Sequence, residues 1–169
     1  MKPNYDYLPE FYNGYVSLVK EQPLITALSQ SKEKCLKLFK IITEEQGDYA
    51  YADKKWSIKE LINHVIDAER VFAYRALRFA RNDKTELPGF EENNWAIASK
   101  ASNRTIESLV GQYEQVSAST LLLFKSFDTE MLNRTGTASD VQFNVANVGF
   151  IIAGHETHHA NILRERYLT

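Results

Sequence analysis

One stretch of the chain reads Gly154-His155-Glu156-Thr157-His158-His159-Ala160. Residues 155–159 fit H-E-x-x-H, in which two imidazoles one helical turn apart bind zinc and the glutamate acts as general base. A peptidase of that type needs a further protein ligand, normally downstream. Only "ANILRERYLT" follows His159. Its one carboxylate, Glu165, lies six residues on, about 9 Å along the same helix axis, and points elsewhere. No run alternates long enough to give a strand that could align a peptide substrate by edge pairing. The peptidase reading is therefore rejected, and Glu156, about 100° off the apolar seam of its helix, is expected as a solvated surface glutamate.

A different metal site remains open. The chain has four histidines, and only His64 lies outside this stretch. Val145, Val148, Ile152, His155, His159 and Ile162 step by three and four residues, as a seam facing a bundle interior does. His155 and His159 occupy two of those positions, so their rings can converge on one ion. His158 falls about 60° from His155, on the flank opposite His159. His64 sits at the edge of another apolar stripe, beside Leu61, Val65 and Ala68. Three neutral imidazoles suit zinc or nickel, with iron or manganese also accepted, and leave a position for water. The plain alternative is a set of hydrogen-bonded core histidines. Glu60, Asp67 and His158 are the groups placed to orient the ligands. Glu60 and Asp67 also read as helix-surface carboxylates, and Glu60 is already explained by a helix cap.

Other reactive side chains read more plainly. Cys35 continues an apolar pattern with Leu36, Phe39 and Ile42, which predicts a buried thiol rather than a nucleophile. Arg70, Arg75, Arg78 and Arg81 form a partial stripe, expected as a solvated face paired with neighbours such as Glu69 and Asp83. Trp56 and Trp95 are expected as packing anchors, and Tyr74 and Tyr113 likewise.

The elements that must position the histidines follow from periodicity and capping. A short helix is expected over 9–19 and a longer one over about 23–46, opened by Pro23 and closed by Gly47. Ser57-Ile58-Lys59-Glu60 is a capping box that starts a helix running to Arg81. Residues 82–89 are a loop, with a short helix over 90–99. Further long helices are expected over 103–126 and 144–166, with a small strand pair at the edges of the loop between them. Four long amphipathic segments predict an all-α four-helix bundle with short extra helices in the loops.

The chain has 169 residues, a net charge of −2 and one cysteine. That charge balance lacks the basic footprint of a nucleic-acid binder, and a lone cysteine fits a reducing compartment. No apolar run approaches a membrane span, and no secretory signal is evident, so a cytoplasmic address is expected.

"WSIKELINHVIDAE" and "GHETHHANILRERY" together resemble the two signature stretches of the DinB-like (YfiT-like) superfamily, and "YRALRFARNDKTELPGFEENNWA" resembles its linker. The similarity spans roughly 24–168 and implies a single DinB-like domain over 1–169. It implies a divalent metal held by His64, His155 and His159, with His158 common in the string but not a ligand. It further implies an enzyme in which an open metal position activates a low-molecular-weight thiol or water toward a small-molecule substrate. A metal-holding bundle without turnover is the alternative. A homodimer is compatible with the resemblance.

Overall fold

The structure is a computed structural model, and it describes residues 1–168. After two single turns at Tyr5–Tyr7 and Glu10–Tyr12 come α1 (Asn13–Ser17), α2 (Leu24–Phe39) and α3 (Ile58–Ala80). Then follow α4 (Glu92–Ser99), α5 (Ile106–Lys125) and α6 (Thr129–Asn133). The strands β1 (Thr135–Ala138) and β2 (Val141–Asn144) lead into α7 (Val145–Ile162), which ends in a π-helical turn, Leu163–Tyr167.

The four-helix bundle is formed by α2, α3, α5 and α7. Packing runs α2 to α7, α7 to α3, α3 to α5 and α5 back to α2. The long helices that follow one another first, α2 and α3, thus stand across the bundle with α7 between them.

Local chemistry accounts for most boundaries. Ser57 and Glu60 close the expected capping box on α3. Thr105 and Asn144 cap α5 and α7 by accepting from backbone amides three residues on. α2 stops at Phe39, seven residues short of the expected end. The β-branched run Ile41-Ile42-Thr43 interrupts it, and Thr43 caps a separate single turn at Glu44–Gln46.

The strand pair exists as an antiparallel hairpin, with Ala138 opposite Val141. Ser139 and Asp140 both take positive φ, 53° and 61°, as a two-residue turn matched to strand twist requires. Leu87 bridges to the hairpin through Thr137 O and the Ser139 amide, fixing the residue 81–91 connection against it.

The expectation of a one-sided seam on α7 needs correction. Every residue from Val145 to Glu156 is buried. α7 is covered by α1, α2 and α3 together, so it reads as a helix apolar on all sides rather than an amphipathic one. Gly154 permits the α1 contact. A Cβ there would collide with the Tyr15 backbone carbonyl, which cannot rotate away. Gly154→Ala is expected to cost about 1–3 kcal/mol by overpacking, read as a lowered melting temperature.

Candidate metal centre

The side-by-side packing of α3 and α7 sets His64 against the His155 and His159 pair. The Nε2 atoms of His64 and His155 are 3.0 Å apart, and those of His155 and His159 are 3.1 Å apart. One ring nitrogen from each residue lies within 4.8 Å of the others. All three side chains are buried.

Burial keeps the rings neutral. It lowers the His64 imidazole to about 4. His155 and His159 are pushed well below the ordinary histidine value, first by burial and then by the neighbouring rings. Neutral rings pose a hydrogen-bonding problem at this spacing. The His155 Nε2 faces two nitrogens, but it offers either one proton or one in-plane lone pair. A proton arrangement satisfies one contact well and leaves the other poor. A cation about 2.0–2.1 Å from each nitrogen takes up all three lone pairs, and nitrogens sharing a tetrahedral ion then stand about 3.3 Å apart. The observed spacing and donor chemistry fit such an ion. One feature departs from the usual pattern: His159 Nδ1 is buried without a hydrogen-bond partner among the described residues, where metal-bound imidazoles ordinarily find an acceptor.

The groups expected to orient the rings lie elsewhere. Glu60 accepts from the Ser57 amide as part of the cap. Asp67 accepts from Asn63 Nδ2 at 2.7 Å and stands 4.0 Å from Arg70. Neither hydrogen-bonds to His64 among the described residues. His158 is half-buried, its ring set edge-on to Tyr15 at 5.1 Å and to His159 at 5.1 Å. The rings that do pack on the cluster are aromatic: Trp56 lies 4.5 Å from His64 and Tyr15 5.4 Å from His155, centroid to centroid.

Glu156 corrects its expectation outright. It is 2% exposed, not solvated. It points into the bundle, away from any general-base role, and accepts from the Tyr113 hydroxyl at 2.6 Å and from Ser31 Oγ. Glu69, expected to pair on a solvated face, is buried too. Burial and then Glu156 raise its carboxyl well above the ordinary range. Cys35 is buried as expected, its Sγ 3.4 Å from the Glu156 carbonyl. Burial pushes its thiol up, the opposite of nucleophile activation.

The three histidines open onto a cavity of about 660 Å³. On α3, His64, Ala68, Phe72 and Arg75 all line it. Their offsets of 4, 8 and 11 residues return to nearly one helix face at about 100° per residue. This phase was available in the sequence, and it removes Arg75 from the supposed solvated stripe: Arg75 is 2% exposed. Arg78 and Asp83 do pair as expected. Trp56 and Trp95 are cavity walls, and Trp95 and Tyr74 are exposed rather than the packing anchors expected. Phe11 and Tyr12 from the second N-terminal turn, Tyr15 from α1 and Ser139 from the hairpin also line it. Three of these lie in the helix expected over 9–19, but so short a segment carries too little periodicity to show which side chains face the bundle.

Comparison with known proteins agrees with this arrangement. The DinB superfamily matches residues 27–163. A curated relative from Oceanobacillus iheyensis, named as a candidate metal-dependent hydrolase, is 24% identical over 120 residues, which are 70% of this chain and 68% of the relative. YfiT from Bacillus subtilis, described as a candidate metal-dependent hydrolase with an unusual four-helix bundle topology, superposes with a TM-score of 0.73 at 15% identity. That match covers 98% of this chain and 90% of YfiT. A mycothiol-dependent maleylpyruvate isomerase superposes with a TM-score of 0.70 at 13% identity, over 83% of this chain but only 60% of the isomerase. The fold is thus the one seen in YfiT, the match to the superfamily takes in both histidine-bearing helices, and the chain belongs to the DinB superfamily.

Proposed function

We propose that this chain is a metal-dependent enzyme in which His64, His155 and His159 hold one divalent ion, zinc or nickel, beside a small-molecule cavity. The observation that carries the reading is the convergence of three buried, neutral imidazole nitrogens on the cavity wall. An ion bound there supplies Lewis acidity that ionises water or a thiol near neutral pH.

The chain's own residues do the rest. His64 and the α7 pair spend no charge on the ion, so its full positive charge serves the reacting group. Trp56, Tyr15 and Phe72 wall the approach with apolar surface, which limits bulk water around the reacting atoms. The lining carboxylates, Glu91 and Glu92, belong to exposed residues, and Glu156 faces the bundle interior. Among the described residues no buried carboxylate lines the cavity, so a bound ion would supply the means of ionising the nucleophile.

Hydrolysis is the first reading, supported by the names of the Oceanobacillus iheyensis relative and YfiT. Thiol transfer is the second, supported by the thiol-dependent isomerase on the same fold. Protein prepared without an affinity tag is expected to carry about one zinc or nickel ion per chain. Assays of ester and amide hydrolysis, beside conjugation of small thiols to electrophiles, should show turnover in one class that stops on chelation and returns with metal. Rates that survive chelation would overturn the enzyme reading. Full metal content with no turnover across the panel would leave a metal-holding bundle.

A further inference from the structure

Arg75 is a charged group buried at the cavity without a counter-charge. It makes none of the ion pairs among the described residues. Its Nη2 donates to Pro88 O at 2.9 Å and to Ser139 Oγ at 3.1 Å. These two bonds hold the guanidinium between the 81–91 connection and the turn of the hairpin. Ser139 can reach it because that turn takes positive φ. Nε and Nη1 donate to no carbonyl or carboxylate among the described residues. The Tyr12 hydroxyl lies alongside, and its proximity favours the charged guanidinium that burial opposes. A desolvated cation with only neutral partners is costly to bury, and an anionic oxygen beside Nε or Nη1 would supply both the missing charge and a charge-assisted hydrogen bond.

The placement relative to the histidines is informative. Eleven residues of helix separate His64 from Arg75, about 16 Å of rise. Helical side chains lean toward the helix N-terminus. The Arg75 Cζ lies 5.3 Å from the Phe72 ring centroid, on the side of the cavity that runs toward the cluster. Between the two polar ends the α3 residues lining the cavity are Ala68 and Phe72, and Trp95 and Phe90, their rings tilted and 4.9 Å apart, line it as well. Glu91 and Glu92 are exposed, so water screens their repulsion of an anion far more than it screens the attraction of Arg75.

We propose that Arg75, steadied by Ser139 and flanked by Tyr12, receives a carboxylate of the substrate, so that the cavity takes an extended, partly aromatic carboxylate with its reacting end at the histidines. The assignment of the reacting end rests on the metal-site reading above; the carboxylate receptor does not. The test uses 4-phenylbutyrate and its neutral amide, titrated into metal-free protein and followed by the fluorescence of Trp56 and Trp95. The acid is expected to bind at least about tenfold more tightly than the amide. Arg75→Met should erase that preference and Arg75→Lys should keep part of it, with circular dichroism confirming the fold of each. His155→Ala should leave the preference in place, which separates this proposal from the metal site. Equal binding of acid and amide to the unaltered protein would overturn it, whatever the variants do. So would a preference seen only with zinc present, or one that persists in folded Arg75→Met.

Discussion

If His64, His155 and His159 hold an ion as proposed, His155→Ala is expected to abolish the rise in melting temperature on adding zinc or nickel. His155 is the member whose Nε2 meets both other rings, so its loss leaves His64 and His159 without a shared third donor. Loss of a group that merely orients a ligand costs 10- to 100-fold in affinity, and loss of the ligand itself should cost more, about 1,000-fold or beyond. An ion present at 1,000 times its Kd stabilises the folded state by about 4 kcal/mol. Wild-type protein should therefore melt well above its chelated form, and His155→Ala should melt at one temperature with or without metal. A metal-dependent shift that persists in the variant would remove His155 from the ligand set. Metal analysis of the same samples gives an independent reading.

Glu156→Ala should destabilise the fold by about 3–5 kcal/mol, the range for breaking a buried ionic or charge-assisted group. The substitution strips the acceptor from the Tyr113 and Ser31 hydroxyls, and each buried donor left unpaired costs about 1–3 kcal/mol. Glu69→Gln offers the contrast. Burial and then Glu156 both favour the protonated Glu69 carboxyl, so a neutral amide should change stability by about 1 kcal/mol or less. The pH dependence has a definite sign. Burial lifts the Glu156 carboxyl from 4.5 to about 7, so the folded state binds more protons than the unfolded one across that window. Its contribution is fully present below pH 4.5 and is lost as pH rises to about 7. In urea unfolding, wild type should lose ground to Glu156→Gln between pH 5 and pH 8. A constant difference would mean that the carboxyl titrates normally.

Much of the bundle was legible because its long helices announce themselves. The Ser57 box and the apolar stripe through Leu61, Val65 and Ala68 place α3 to within a residue, and the expected start of the last helix falls one residue before α7 begins. The three histidines were legible by type and spacing, although nothing in one sequence says that α3 and α7 are neighbours. The failures have one cause. Glu69 and Arg75 were assigned to water as part of a charged stripe and Glu156 because it lies about 100° off the seam of its helix, yet neither charge nor phase reports which flank a third helix or a hairpin will cover. Glu156 is covered because α7 is enclosed by α2 as well as α3. Arg75 is covered because a two-residue turn brings Ser139 against it. Both are tertiary facts, and intrinsic pattern is silent on them.

The N-terminal turns are stitched to the last long helix. The Asn4 amide donates to Asn147 Oδ1, and Asn147 Nδ2 donates back to the carbonyls of Asn4 and Tyr7, across sequence gaps of 143 and 140 residues. Another gap of 91 residues lies between His64 and His155. Closure of such long loops is slow and entropically opposed until the final packing repays it. During synthesis, then, the cavity cannot take shape until α7 has cleared the ribosome, and a nascent chain would hold a metal no better than any peptide carrying a lone histidine.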